Sequence, residues 1–338
     1  MHRHARTIGL AACALALAGC STTRPTPRIT WPPPPARPMV AYAGSISGSR
    51  DLGRSVWGRL RDFFLGAAPE QSLNKPYGLA WDGASRLYVT DTGTKRVLIV
   101  DLDAGQIRSF SSLGVHGTLR EPVGVLPDGD DVYVSDTGLS RIAVFDPEGN
   151  FRRFVGAEGD LDGPVGMALA GEPRRLFVTD TRLHEVRVFD RDGRMVSRFG
   201  GRGEERGQFY HPLGIATGGG DTLYVVDSFH FAVQAFDLDG RYLFSFGHRP
   251  GGVGTMARPR AIAMDSDRHL YVTDALSHNV QVYGRGGDLL FRFGAEGVDP
   301  GRFRLPAGIC ITRDDRIYVV DSINQRIQEF AYVGGSAN

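Results

Sequence analysis

A proline turn, Pro-x-Gly in five copies and Pro259-Arg260-Ala261 in the other, runs six times in this chain into a strand ending in Tyr-Val-x-Asp or a near variant. The aspartates are Asp91, Asp136, Asp180, Asp227, Asp274 and Asp321, with steps of 45, 44, 47, 47 and 47. Pro76, Pro122, Pro164, Pro212, Pro259 and Pro306 keep pace with them. A period in the forties with three or four short apolar runs per unit specifies a propeller blade, because a helical solenoid would space its apolar residues by 3.6. The expected fold is therefore all-β: six blades in one closed ring. Length alone suggests two domains, but a repeat spanning 39–332 makes them one.

Four strands can be read in each unit. Strand a follows the proline, as in 212–216, and strand b carries the aspartate, as in 223–227. Strand c alternates in the manner of Arg141-Ile142-Ala143-Val144-Phe145, and strand d ends in Phe-Gly, as at Phe199-Gly200, Phe246-Gly247 and Phe293-Gly294. Between c and d, Asp146-Pro147-Glu148-Gly149 and its counterparts fit type I turns. The last unit stops after strand c, near Phe330, and leaves only a short tail at 333–338. Residues 39–44, Met-Val-Ala-Tyr-Ala-Gly, match the fourth strand at 195–200. The N-terminal strand is thus expected to complete the last blade, which removes the exposed edges.

Upstream of that strand the composition changes twice. Arg3 and Arg6, an apolar run from Ile8 to Ala18, and then Leu17-Ala18-Gly19-Cys20 make residues 1–19 an export signal. The last four resemble the lipobox of bacterial lipoproteins, which implies a diacylated Cys20 as the first mature residue. An ordinary secretory peptide with an incidental Cys20 is the alternative. By resemblance to the lipoprotein sorting rule, Ser21 implies an outer-membrane anchor facing the periplasm. Residues 20–38 then read as a tether: the stretch 21–38 holds seven prolines and would favour extended polyproline II, reaching about 56 Å at ~3.1 Å per residue.

The export signal takes two arginines and no acid from a total of 39 basic and 38 acidic residues, leaving 37 − 38 = −1 for the mature chain. No basic excess of the kind that phosphate backbones demand is present, so nucleic acid is not an expected partner. Cys310, in the apolar run Gly308-Ile309-Cys310-Ile311, reads as a buried thiol. An insertion at about 54–66 has no counterpart in the other units. Its Val56, Trp57, Leu60, Phe63 and Phe64 would share one face of a short helix, packed on one end of the propeller or lying against a partner or membrane.

The repeat is similar to the NHL repeat, whose b-to-c segment reads roughly Asp-Ser-Gly-Asn-His-Arg-Ile. The matching stretches are Asp91-Thr92-Gly93-Thr94-Lys95-Arg96-Val97, Asp136-Thr137-Gly138-Leu139-Ser140-Arg141-Ile142 and Asp321-Ser322-Ile323-Asn324-Gln325-Arg326-Ile327. The resemblance implies a six-bladed propeller with strand a lining a central channel. The residues after the prolines would then face it: Tyr77, Val123, Val165, Leu213, Arg260 and Ala307. In the related peptide-amidating lyases the matching position is His in three blades, and together they bind zinc. None of the six is His here, so no metal or other cofactor is expected.

The strand b aspartates recur whether or not a site is nearby and read as caps of the b-to-c turns rather than a carboxylate ring. Function should lie where the repeat is broken. The usual Arg of the b-to-c turn is Glu185, Ala232 and Asn279 in blades three to five. Candidate binding residues are Tyr77 and Arg260 on the channel, His211 and Arg258 at its mouth, and Arg182, Phe229 and His230 in the variable loops. Arg260 could hold an anionic ligand or peptide carboxylate, or pair with a neighbouring acid. No Gly-x-Ser-x-Gly elbow, His-Glu-x-x-His or paired-cysteine motif is present. Tether, scaffold and absent catalytic constellation together predict an envelope lipoprotein that docks a protein or peptide. The alternative is a metal-dependent propeller enzyme, a lyase or lactonase-like hydrolase.

Overall fold

Each proline starts a strand opposite the aspartate that ends the next one, and this pairing sets the geometry of every blade. Pro76 faces Asp91, Pro122 faces Asp136, Pro164 faces Asp180, Pro212 faces Asp227, Pro259 faces Asp274 and Pro306 faces Asp321. Proline has no N–H to give the ladder, so it sits at the strand's start, and the register slips by a residue immediately after it in all six blades. This is a computed structural model, which describes residues 29–52, 71–218, 220–247 and 254–334.

The inner strands are Pro76–Trp81, Pro122–Asp128, Pro164–Ala170, Pro212–Thr217, Pro259–Met264 and Pro306–Ile311. Strands b, c and d follow outward as an antiparallel meander. The single helical element among the described residues is a 3-10 turn at Gly114–His116. The chain is a six-bladed β-propeller, as the period requires.

Apolar side chains between neighbouring blades form six clusters, one for each seam. The cluster joining the last blade to the first brings Leu87, Val89 and Leu98 against Val320 and Ile327. Its presence closes the ring. Each fully buried Val or Leu contributes about 1.5–3 kcal/mol relative to exposure, so the seams carry much of the stability. Around the channel the inner strands approach closely. A Cβ on Gly78 or Gly124 would collide with the Val123 or Val165 carbonyl of the next blade. Strand b hydroxyls stitch the same seam: Thr90 Oγ1 accepts the Gly78 N–H (2.7 Å) and donates to the Val123 carbonyl (2.9 Å). Ser135, Thr179 and Thr273 repeat this arrangement, whereas the fourth and sixth blades carry Val226 and Val320 there.

The N-terminal strand Val40–Ile46 pairs with Arg326–Tyr332, with Val40 opposite Tyr332, Tyr42 opposite Phe330 and Ile46 opposite Ile327. The last blade is closed by it, as expected. The propeller, however, begins earlier than the composition implies. From Ile29 onward the chain belongs to the propeller, with Thr30–Trp31 as a fifth strand beside Val40 and Ala41. The Trp31 ring lies 5.9 Å from Phe293 and 5.8 Å from Phe330, filling the outer seam between blades five and six. Proline content dominated the local reading, and one large aromatic with a waiting apolar seam outweighs it.

Cys20 and the expected insertion helix at 54–66 lie outside the described residues. The base of the insertion is pinned by an antiparallel bridge between Gly48 and Ser72, with the Ser49 N–H on the Gln71 carbonyl. Cys310 is buried and unpaired, and burial pushes its thiol pKa up.

Candidate functional site

Because strand a begins where strand b ends, the b-to-c turns and the loops approaching each proline share one face of the ring. The six aspartates weld these two loop sets together. All six carboxylates are fully buried. Asp136 accepts the N–H groups of Arg120 and Glu121 from the approach loop, and of Gly138 and Leu139 from its own turn. Asp91 and Asp180 do the same with Asn74, Lys75 and Thr94, and with Asp162, Gly163 and Leu183. The capping role is therefore present, and each aspartate also fixes the approach loop, a contact that the turn sequence does not reveal.

Blade four departs from this scheme. Asp227 takes only the Tyr210 N–H from the approach loop, together with His230 Nδ1 at 2.7 Å and the Gln234 amide at 3.1 Å. Burial raises its pKa, against the opposing pull of His230 and the Tyr210 N–H. His211 has φ 73, and its N–H donates instead to His184 Nδ1 in the preceding blade, at 3.3 Å. The same exchange occurs two blades on, where Leu305 has φ 53 and donates to His278 Nδ1 at 3.3 Å. Nδ1 of His184 and of His278 thus each accepts a backbone N–H from the following blade's approach loop. Burial, with nearby Arg202, holds the His184 pKa below the usual imidazole value; burial, His184 and Arg258 do so for His211.

These departures gather side chains into one patch. His184 stacks on Tyr210 with ring centres 5.7 Å apart and 7° between planes. His211 sits edge-on to Phe229 at 4.5 Å, and Phe229 lies 5.5 Å from Tyr210. Two guanidiniums cover the rings, Arg258 at 4.4 Å over Phe229 and Arg202 at 5.4 Å over Tyr210. Neither arginine pairs with a carboxylate among the described residues. Each stack contributes about 0.5–1 kcal/mol at such exposed sites, enough to orient a cation without neutralising it. Tyr210 stays 39% exposed.

Phe229 occupies the third position of its turn, where the first three blades have Gly93, Gly138 and Arg182. The next two blades place Leu276 and Ile323 there, 56% and 50% exposed. Half of the mouth is thus edged by apolar side chains.

The sequence-derived residues divide into three groups. His211, Arg258, Phe229 and His230 come together in the patch. Tyr77 and Arg260 face the channel, with the guanidinium 5.6 Å from the ring centre. Arg182 stands apart: it donates to the Thr137 and Asp162 carbonyls (3.2 and 2.9 Å) and faces the Asp162 carboxylate at 3.4 Å, lacing blade three to blade two. His184, Tyr210 and Arg202 belong to the patch but were not singled out by sequence. The histidine of the turn was visible; the other two lie in an approach loop whose fold depends on the aspartate bonds. Among the described residues, no group of three or more His, Cys, Asp or Glu side chains is placed to hold a metal ion.

The NHL repeat profile matches residues 303–330. No curated protein matches the sequence. Similar solved structures include virginiamycin B lyase from Staphylococcus aureus, at 14% identity over 77% of this chain and 96% of that one, TM-score 0.57. A protein of unknown function from Bacteroides thetaiotaomicron is similar at 13% identity over 85% and 75%, TM-score 0.63. An auxiliary nutrient binding protein from the same organism is similar at 14% identity over 77% and 69%, TM-score 0.60. At these identities the likeness shows the propeller fold alone, which hosts unrelated activities.

Proposed function

We propose that this chain is an envelope lipoprotein, anchored through Cys20, whose propeller binds a protein or peptide partner on the loop face of blades three to six. The observation that carries the reading is the patch of Tyr210, Phe229, His211 and His184 beneath two arginines that pair with no described carboxylate. Aromatic and arginine side chains are the residue types that dominate binding energy at protein interfaces. The partner segment is acidic and carries apolar side chains: carboxylates for Arg202 and Arg258, and a hydrophobic face for Phe229, Leu276 and Ile323. Eight residues lie between Cys20 and Ile29, so nine steps of ~3.1 Å would keep the propeller within about 28 Å of its anchor.

The test compares the intact lipoprotein with Phe229→Ala and Arg258→Ala, using crosslinked capture from envelope membranes. Arg191→Ala, in a c-to-d turn, is the control. Loss of a crosslinked partner in the first two alone supports the site, and capture unaffected by either removes it. Incorporation of a labelled acyl chain that Cys20→Ser abolishes tests the anchor.

A further inference from the structure

The central channel has a chemistry of its own, separate from the loop face. Three positions after each proline, Leu79, Val125, Met167, Ile215, Ile262 and Ile309 form an aliphatic waist that walls the cavities on both sides. Toward the loop face the channel holds a cavity of about 110 Å³, whose single charged lining residue is Arg260. Tyr77 is the other polar side chain there; the remainder is aliphatic or glycine. Arg260 makes no ion pair and no side-chain hydrogen bond among the described residues, so the neighbouring acid expected as its alternative partner is not found there. It is in blade five and Tyr77 in blade one. Ala307, buried in the blade between, is small enough for the two to meet.

We propose that this channel binds a carboxylate carried on an apolar group, with the carboxylate on the Arg260 guanidinium beside Tyr77 and the apolar part against the aliphatic waist. A guanidinium matches a carboxylate with two parallel N–H donors. One cation among apolar walls balances one negative charge, whereas a phosphate dianion would leave its second charge buried without a partner. Sugars are disfavoured on the same grounds, since the waist has no side-chain donor or acceptor for their hydroxyls. The opposite cavity, about 500 Å³, offers no equivalent head site: its charged lining residue, Arg174, is already held by Asp128 at 2.9 Å. The chemistry is shared by a fatty carboxylate and by the C-terminus of a peptide ending in an apolar residue. The proposal does not rest on the loop-face reading.

The experiment uses the full chain with Cys20→Ser, to remove acylation, and titrates octanoate, N-acetyl-leucine and octan-1-ol by calorimetry. At least one of the two carboxylates is expected to bind saturably at one equivalent, and which of them binds tighter identifies the source. Octan-1-ol should bind at least about tenfold more weakly than that carboxylate, and Arg260→Gln should weaken the carboxylate by about tenfold or more, equivalent to the ~1.4 kcal/mol of one lost charge-assisted bond. Tyr77→Leu should weaken it about threefold and provides the same test if Arg260→Gln fails to fold. The proposal is overturned if neither carboxylate binds, if the alcohol binds as tightly, or if a folded Arg260→Gln or Tyr77→Leu protein binds as the parent does.

Discussion

The turns of blades two and four share a backbone and differ in what they present. In blade two, Asp136 satisfies four N–H groups, and the turn closes with Gly138 and Arg141. In blade four the same carboxylate position serves one approach-loop N–H, a histidine and a glutamine, and the turn presents Phe229 to a half-buried cluster of rings and cations. The first turn uses its hydrogen bonds for stability. The second gives some of them up and gathers aromatic and cationic side chains at the surface. In a ring of equivalent units, specialisation thus appears as a local loss of regularity, with compensation from an adjoining blade through His184.

Removing the shared frame should have the largest effect. Deletion of residues 39–44 strips the last blade of most of its strand d and uncovers Phe330, so the single cooperative unfolding transition should be lost in calorimetry. An unchanged transition would mean that the ring does not need this strand. Next, Asp136→Ala leaves four N–H groups without their acceptor and should cost about 3 kcal/mol or more in denaturant unfolding, at ~1–3 kcal/mol for each buried group left unsatisfied. Asp227→Ala should cost less. Equal costs would erase the distinction between the two turns.

The seams give a smaller effect. Thr179→Val removes the hydroxyl between Gly166 and the Leu213 carbonyl and should cost about 1–2 kcal/mol, whereas Val226→Thr introduces it at the one strand b position of blade four that lacks it and should be neutral or mildly stabilising. A large loss from Val226→Thr would show that this seam is built differently.

The smallest effect is one of pH. The folded-state pKa values of His184 and His211 lie below the unfolded value near 6.5, so the unfolded chain takes up protons first as the pH falls. Their contribution is fully present above the unfolded pKa and is lost as the pH drops through 6.5 toward the lowered folded values. The melting temperature should therefore decline between pH 7.5 and 5.5, and His184→Asn, which keeps an acceptor but cannot ionise there, should flatten the decline. An identical slope in the variant would assign the dependence to other groups.

Much of the fold was legible because a repeat samples the same physics six times. Period, inner strands, closing strand and the structural use of the aspartates all follow from residues compared across copies. Features present once were not. Trp31 sits among prolines that, read locally, speak for a free stalk; only the seam beside Phe293 and Phe330 makes it a strand. Arg182 breaks the pattern as Phe229 does, yet its donors are spent on the Thr137 carbonyl of blade two and the Asp162 carbonyl of its own approach loop, a use set by what lies across the seam.

The candidate site was legible by half. Phe229, His230, His211 and Arg258 were visible as exceptions to the repeat, and Tyr210 and Arg202 were not, since inter-blade loops carry no shared pattern against which an exception could show. The amino-acid sequence by itself determined the number of blades, their order and the strand that closes them, because strand periodicity and turn chemistry are local and were repeated. Only the tertiary structure decided which irregular residues share a surface. That depends on distances across blades, and on the backbone at His211 turning left-handed to reach a histidine 27 positions earlier in the chain.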